Sequence, residues 1–336
     1  MPIIVNPEEV RRLYSKLGKN KIALATFCTE SERMTEAILQ GVLEFGKEIG
    51  IKNLPVCIAL TGKYPYRSQV LNFTYSKDYK LGFEVFFKHL EIMMSENSPY
   101  RSIKVLTHLD HAYPDLDKYA LENYTEKFST VMFDASKCSL EKNIELTKKY
   151  VKKYGRDVVI EGCVDTIGEK TSGDGLTSVK DAKKYKTETG VDLMVVNVGT
   201  EHRVTEGKRQ YYGARVREIA SEVGPMLVLH GTSCLNDDQI TGLAEDGIVK
   251  VNLYTALEQL GSIETIKHTL NDLENIFTQK DVDLFVKKGI LGDYFKNKAI
   301  SPKLSNFAEN VRRDVYVNAV KELVKKYLKY FGYKRY

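Results

Sequence analysis

Eight short stretches rich in Val, Ile and Leu recur along the chain, and charged residues rarely break them. They are residues 21–27, 55–61, 103–109, 130–136, 157–164, 192–199, 225–231 and 247–253. A strand with one wet face alternates apolar and polar residues. Near-continuous apolar runs of this length instead fit strands buried on both faces, as in parallel sheets. Helix-like stretches separate them. Residues 139–155 open at Ser139, a possible N-cap, carry Leu140, Ile144 and Val151 on one side, and stop at Gly155; residues 177–190 stop in the same way at Gly190. Eight strands alternating with helices predict an α/β fold, a closed (β/α)8 TIM barrel. A doubly wound sheet would show a GxGxxG turn after an early strand, and none occurs. Two stretches exceed a minimal barrel. Residues 62–102 form a long, aromatic-rich insertion after the second strand, and residues 256–336 read as an extra C-terminal helical extension. With no internal repeat and no Pro/Gly-rich linker, residues 1–336 are expected to form one domain.

Composition narrows the function. Fifty basic and 45 acidic residues give a net charge of +5, too mild for a nucleic-acid partner. No run reaches the roughly 18 apolar residues of a membrane helix. Glu8, Glu9, Arg11 and Arg12 interrupt any leader-like start. The five cysteines are odd in number and lack CxxC spacing, so they are expected to be reduced thiols in a cytoplasmic protein.

In a barrel, chemistry sits at the C-terminal ends of the strands. Asp110 and His111 follow the third run, Asp134 lies in the fourth, and Glu161 and Cys163 lie late in the fifth. Gly199, Thr200 and His202 follow the sixth, His230 with Gly231 and Ser233 closes the seventh, and Asn252 and Thr255 end the eighth. Half of the six histidines therefore fall at one end of three different strands. Three imidazoles with an open fourth position are a catalytic zinc arrangement, so His111, His202 and His230 are the expected ligands. His89, His108 and His268 are read as structural. The turns "VGTEH" and "HGTS", the latter including Thr232, pair glycine with hydroxyl residues, as anion-holding turns do. The polar loop 168–178 is a candidate lid.

Six ordered motifs then carry a resemblance. "HLDHA" (108–112), "VMFDAS" (131–136), "IEGCVDTIGE" (160–169), "VNVGTEHR" (196–203), "LVLHGTSC" (227–234) and "GIVKVNLYTAL" (247–257) resemble those of the class II (metal-dependent) fructose-bisphosphate aldolases. Residues 312–332 resemble that family's C-terminal segment. The resemblance implies a zinc-dependent carbon–carbon lyase of carbohydrate metabolism, for instance glycolysis. It would cleave a ketose (bis)phosphate reversibly to dihydroxyacetone phosphate and an aldehyde. It implies one catalytic Zn2+ and room for a second divalent or monovalent cation, a phosphorylated sugar as partner, and a homodimer or larger homo-oligomer.

By position, His111, His202 and His230 match the zinc ligands, and Asp110 matches the general acid/base. Glu161 and Cys163 match the acidic pair of the fifth motif and are the further candidate metal ligands, the second position being the one that holds a resting or second metal in the family. Thr61, Gly199, Gly231, Thr232, Ser233, Asn252, Thr255 and Arg313 match substrate- or phosphate-holding positions, and Arg203 and Tyr254 stand at two more of them and are expected to bind the substrate's anionic groups. The chain also departs from the pattern. Cys163 replaces the second glutamate, and Arg203 replaces a glycine beside the phosphate. Tyr254 replaces an aspartate. The lid glutamate corresponds to Glu169, displaced by about one position, and "TFC" (26–28) replaces AFN. Such departures keep open an aldolase with a changed sugar substrate, and a non-catalytic metal-binding relative.

Overall fold

The computed structural model describes residues 3–166, 175–201 and 210–336. Its eight strands are β1 (Leu24–Cys28), β2 (Pro55–Thr61), β3 (Lys104–Ala112), β4 (Thr130–Phe133), β5 (Val159–Cys163), β6 (Leu193–Val195), β7 (Leu227–Leu229) and β8 (Ile248–Leu253). Each pairs in parallel with the next, and β8 pairs back to β1, so the barrel is closed in chain order. All eight runs became strands. From β1 to β8 every strand residue except Lys104 is buried, which is why the runs show no alternation.

The helices are α1 (Pro7–Lys19), α2 (Glu32–Ile49), α3 (Tyr79–Met93), α4 (Lys118–Asn123), α5 (Leu140–Tyr154), α6 (Val179–Thr189), α7 (Gly213–Val223) and α8 (Asp237–Asp246). The C-terminal part holds α9 (Thr255–Asn271), α10 (Leu273–Ile276), α11 (Gln279–Lys287), α12 (Leu304–Phe307) and α13 (Glu309–Tyr330). Ser139 caps α5 by accepting from the Lys142 N–H, and Gly190 ends α6 in the left-handed conformation. The buried stripe of α5 is Asn143, Ile144, Thr147 and Tyr150. Leu140 and Val151 are only half-buried, so the stripe is more polar than expected. Thr147 and Asn143 satisfy each other and the Tyr185 hydroxyl on α6.

Residues 62–102 are the β2–β3 crossover rather than a mere insertion. Phe83, Phe86 and Phe87 of α3 pack with Phe128 and Tyr124, which accounts for the aromatic richness. The C-terminal helices are likewise more than an appendage. Helix α13 lies against α2 and α9 and buries Tyr316, Val320, Val324, Tyr327 and Leu328. Beyond it, the Tyr333 hydroxyl accepts from the Ala25 N–H of β1 at 3.0 Å. Among the described residues no helix is long and apolar enough to cross a membrane.

One local feature of β3 decides how the site is built. Leu109 pairs with Val131, yet Ala112 pairs with Phe133, so β3 carries one extra residue against β4. His111 sits in that bulge with φ of 45°, a left-handed conformation uncommon for a side-chain-bearing residue.

Candidate active site

Consecutive residues of a regular strand point to opposite faces. The bulge cancels that rule for Asp110 and His111. Strand β3 does not end at residue 109 but runs through both, and their side chains converge. One ligating atom from each of Asp110, His111 and His230 lies within 4.8 Å of the other two, and all three residues are buried. The two imidazole rings meet edge to face at 4.9 Å.

Each member is held from behind. His111 Nδ1 lies 2.7 Å from Asp134 Oδ2 at the end of β4. Burial would raise the Asp134 carboxyl, but the His111 ring and the Ser136 donors outweigh it and hold it below its ordinary value. An ionised carboxylate only accepts, so Nδ1 carries the hydrogen and the lone pair falls on Nε2. That is how a carboxylate prepares a metal-ligating histidine. Tyr64 stacks on the other side of the ring at 4.7 Å. Asp110 Oδ1 accepts from Asn252 Nδ2 of β8 at 3.0 Å. Its Oδ2 lies 3.5 Å from the Cys28 thiol of β1. Burial acts to raise the Asp110 carboxyl, yet the surrounding His111, His108 and His230 hold it well below the usual carboxylate range.

Beneath these groups the barrel interior is polar. Lys250 Nζ of β8 reaches Glu161 Oε2 at 2.6 Å and His108 Nε2 at 3.0 Å, and all three residues are fully buried. His108 is anchored through Nδ1 to Thr130 Oγ1 at 2.7 Å. Glu161 Oε1 stands 3.6 Å from His230 Nε2. Burial opposes its charge, but Lys250 and the histidines bring the Glu161 carboxyl down to about 2. His108, read from sequence as structural, lies under the site, with Nε2 3.5 Å from Asp110 Oδ1.

Not every expected residue converges. Cys163 stays outside the three-residue cluster. Its thiol donates to the Asp165 carbonyl at 3.2 Å, and burial pushes it well above the ordinary thiol range. Glu161 is also outside the cluster, with its second oxygen committed to Lys250. Arg313 lies on α13, exposed and paired with Asp314, and does not line the cleft of its own barrel. Thr61 lines the cleft, but its hydroxyl donates to the Arg67 carbonyl and accepts from the Gln69 N–H, so it braces the loop after β2. Thr232 Oγ1 donates to the Asn252 carbonyl. Glu169, His202, Arg203 and most of the 168–178 loop lie outside the described residues.

The cleft over the cluster is about 630 Å³ and includes Gly231, Thr232, Ser233, Asn252, Tyr254 and Thr255 from the β7 and β8 ends. Gly231 has φ of 75°, and a Cβ there would come within 2.6 Å of the Glu201 carbonyl oxygen. Gly199 has φ of 89°, and a Cβ would stand 2.3 Å from the Gln210 carbonyl oxygen. Only glycine suits either turn. Sequence reasoning missed Tyr64 and Arg67, which also line the cleft, because their loop follows none of the six motifs. It placed Asp134 at a strand end without assigning it a task.

Comparison with known proteins places the chain in a family. The family model for fructose-bisphosphate aldolase class II matches residues 8–334. A fructose-bisphosphate aldolase of Staphylococcus epidermidis is 26% identical over 284 residues, 82% of this chain and 89% of that one. A 6-phospho-5-dehydro-2-deoxy-D-gluconate aldolase of Bacillus licheniformis is 31% identical over 184 residues, 53% of this chain and 61% of that one. In fold, the crystal structure of a fructose-bisphosphate aldolase from Campylobacter jejuni superposes with a TM-score of 0.73 at 16% identity, covering 96% of this chain and 93% of that one. The YdjI aldolase of Escherichia coli K12 gives 0.66 at 22% identity, covering 96% of both chains. With the match running almost end to end, this chain belongs to the class II fructose-bisphosphate aldolase family.

Proposed function

We propose that the protein is a zinc-dependent aldolase. It would cleave a ketose (bis)phosphate, fructose 1,6-bisphosphate or a related sugar phosphate, reversibly to dihydroxyacetone phosphate and an aldehyde. The observation that carries this reading is the convergence of Asp110, His111 and His230 at the barrel mouth, with Asp134 fixing the His111 tautomer. His111 and His230, with His202 as the third imidazole, would hold the metal. When bound, it would supply Lewis-acid stabilisation of the charge that develops on the ketone fragment.

The chain's own residues do the rest. Asp110 takes the hydroxyl proton of the breaking bond and returns it in the synthetic direction. Asn252 fixes its carboxylate by donating to Oδ1, leaving Oδ2 turned toward Cys28. Gly231, Ser233 and the start of α9 at Thr255 offer backbone and hydroxyl donors to a phosphate. The proposed roles of Gly199, Arg203, Glu169 and Arg313 rest on the resemblance alone. So does a second cation; the cytoplasmic location rests on the reading of the cysteines as reduced thiols, and a homodimer on the resemblance together with exposed Ile266, Leu270, Leu304 and Phe307 on the C-terminal helices.

The relative named for a deoxygluconate phosphate favours a second version of the same reading, in which the sugar differs from fructose 1,6-bisphosphate. The test is metal content of the purified protein together with cleavage of a panel of ketose phosphates. Bound divalent metal, with cleavage that is lost to a chelator and restored by zinc, is the expected result. Stoichiometric metal without cleavage of any ketose phosphate would turn the reading to a non-catalytic metal-binding relative.

A further inference from the structure

The loop after β2 places one residue in the cleft that no motif announces. Arg67 is the only lysine or arginine among the described residues lining it. Its side chain is 47% exposed. Its backbone is fixed: Thr61 donates its hydroxyl to the Arg67 carbonyl, and Gln69 binds Thr61 through both its own N–H and its side-chain oxygen at 3.0 and 2.9 Å. A loop tied back to the strand end in this way presents its side chain at a defined place.

Glu30, just beyond β1, accepts from Arg67 Nε at 2.8 Å and from Nη2. Asn72 donates to the same carboxylate at 2.9 Å. The third neighbour is Tyr254, whose ring lies 5.8 Å from the guanidinium carbon. The Tyr254 hydroxyl is buried and faces the Glu30–Arg67 pair, whose carboxylate and guanidinium both act on it.

We propose that Arg67, with the Tyr254 hydroxyl, is the specificity determinant that receives a second anionic group of the substrate, at the end remote from the Gly231–Ser233 turn. This rests on the aldolase reading above. The two places belong to different strands: Gly231–Ser233 follows β7, whereas Arg67 follows β2, three positions round the closed barrel. A substrate spanning them carries charge at both ends. Glu30 does not forbid this. It takes one edge of the guanidinium, through Nε and Nη2, and is itself shared with Asn72, so an incoming anion adds to the opposite edge rather than displacing Glu30. Nη1 donates to no described residue, so one edge of the fork is available. The planar guanidinium suits either a carboxylate or a phosphate.

Binding of uncleavable sugar analogues separates the possibilities without requiring turnover. Three probes are measured by titration calorimetry on the zinc-loaded protein: glucitol 6-phosphate with one anion, glucitol 1,6-bisphosphate with two phosphates, and gluconate 6-phosphate with a phosphate and a carboxylate. One of the doubly anionic probes is expected to bind about tenfold tighter, or more, than glucitol 6-phosphate, and which one does so identifies the group as phosphate or carboxylate. Arg67→Gln should remove that gain, and Arg67→Lys should restore only part of it, because a point charge lacks the fork. Tyr254→Phe should reduce it by a smaller factor. Equal binding of all three probes, or a gain that survives Arg67→Gln, overturns the proposal while leaving the aldolase reading intact. Failure of all three to bind overturns the proposal, and failure to cleave any ketose phosphate overturns the aldolase reading separately.

Discussion

Lys250 is the most informative residue to perturb, because it is fully buried on β8 and ties together three strands. Its Nζ lies 2.6 Å from Glu161 Oε2 and 3.0 Å from His108 Nε2. Replacing it with Met keeps the aliphatic length but removes the cation. Glu161 is then left at zero exposure with His230 at 3.6 Å and His108 at 3.9 Å from its other oxygen. Removing one partner of a buried pair leaves an uncompensated charge and typically costs about 3–5 kcal/mol. For 336 residues, an unfolding entropy near 2.1 cal/mol/K per residue makes 1 kcal/mol worth about 1.4 °C, so Tm should fall by roughly 4–7 °C. The measurement is calorimetry and urea unfolding on chelator-treated protein, since bound metal would add its own stabilisation.

The double variant Lys250→Met/Glu161→Gln tests the cause. If the penalty is the orphaned carboxylate, neutralising it recovers most of the loss, and the two substitutions are strongly non-additive. A single variant within about 1 kcal/mol of wild type, or a double variant whose losses simply add, would refute the reasoning. Either result would mean that the interior pair is not what holds this end of the barrel.

Four further outcomes follow from the same geometry. His111→Ala or His230→Ala should lose bound metal and activity together, checked by metal analysis, because one imidazole of a three-histidine site is gone. Asp110→Ala should leave metal bound and lower kcat by roughly 10²–10⁴, the usual contribution of an acid/base; wild-type turnover would remove it from the mechanism. Asp134→Ala, which touches no substrate, should weaken metal affinity by about 10–100-fold by releasing the His111 ring, read by competition with a chromogenic chelator. The Glu161 carboxyl is depressed to about 2 in the folded protein, so its contribution to stability is present above about pH 4.5, its ordinary value, and is lost as pH falls toward 2. Acid unfolding of Glu161→Gln should therefore lack that pH-dependent segment, and an unchanged acid limb would argue against it.

Much of this was legible in sequence because burial on both faces writes itself as uninterrupted apolar runs. All eight strands followed from that rule, and the caps at Ser139 and Gly190 from the residue preferences of helix ends. Asp110, His111 and His230 were placed because strand ends are where barrels carry chemistry, and three described members of that set do converge. The bulge was not legible. No residue type in "HLDHA" requires an extra residue against β4, and histidine at positive φ is set by the surrounding fold rather than by local propensity. The direction of the Cys163 thiol was hidden for a related reason: a position in a motif fixes where a side chain starts, and the Asp165 carbonyl decides where it turns. Arg67 escaped because a loop residue enters a site through tertiary folding, with Thr61 and Gln69 as its fasteners.

The residues of the metal cluster and those of the cleft wall fall in physically different places. His111, Asp134, Asp110 and Asn252 share hydrogen bonds with one another or with the strands behind them. A change in one leaves a buried polar neighbour unsatisfied, which is expensive. Arg67, Glu30 and Tyr254 form a wall that is partly open to solvent, with Arg67 about half exposed. Substitutions of the exposed Arg67 head act on whatever occupies the cleft, whereas Glu30 behind it is buried. Function on a fold is set by its site and its loops, so a tightly bonded floor beneath a more open wall separates chemistry from recognition. On that ground, Tyr254 and Arg67 are where the identity of this substrate should be sought, and exchanging them should move substrate preference more than turnover. Tyr254→Asp restores the family's residue and places a carboxylate beside the Glu30–Arg67 pair. It should lower kcat/KM for a doubly anionic substrate by about tenfold relative to a singly anionic one, through KM rather than kcat. An equal loss on both substrates, carried by kcat, would assign Tyr254 to the reaction centre instead of the wall.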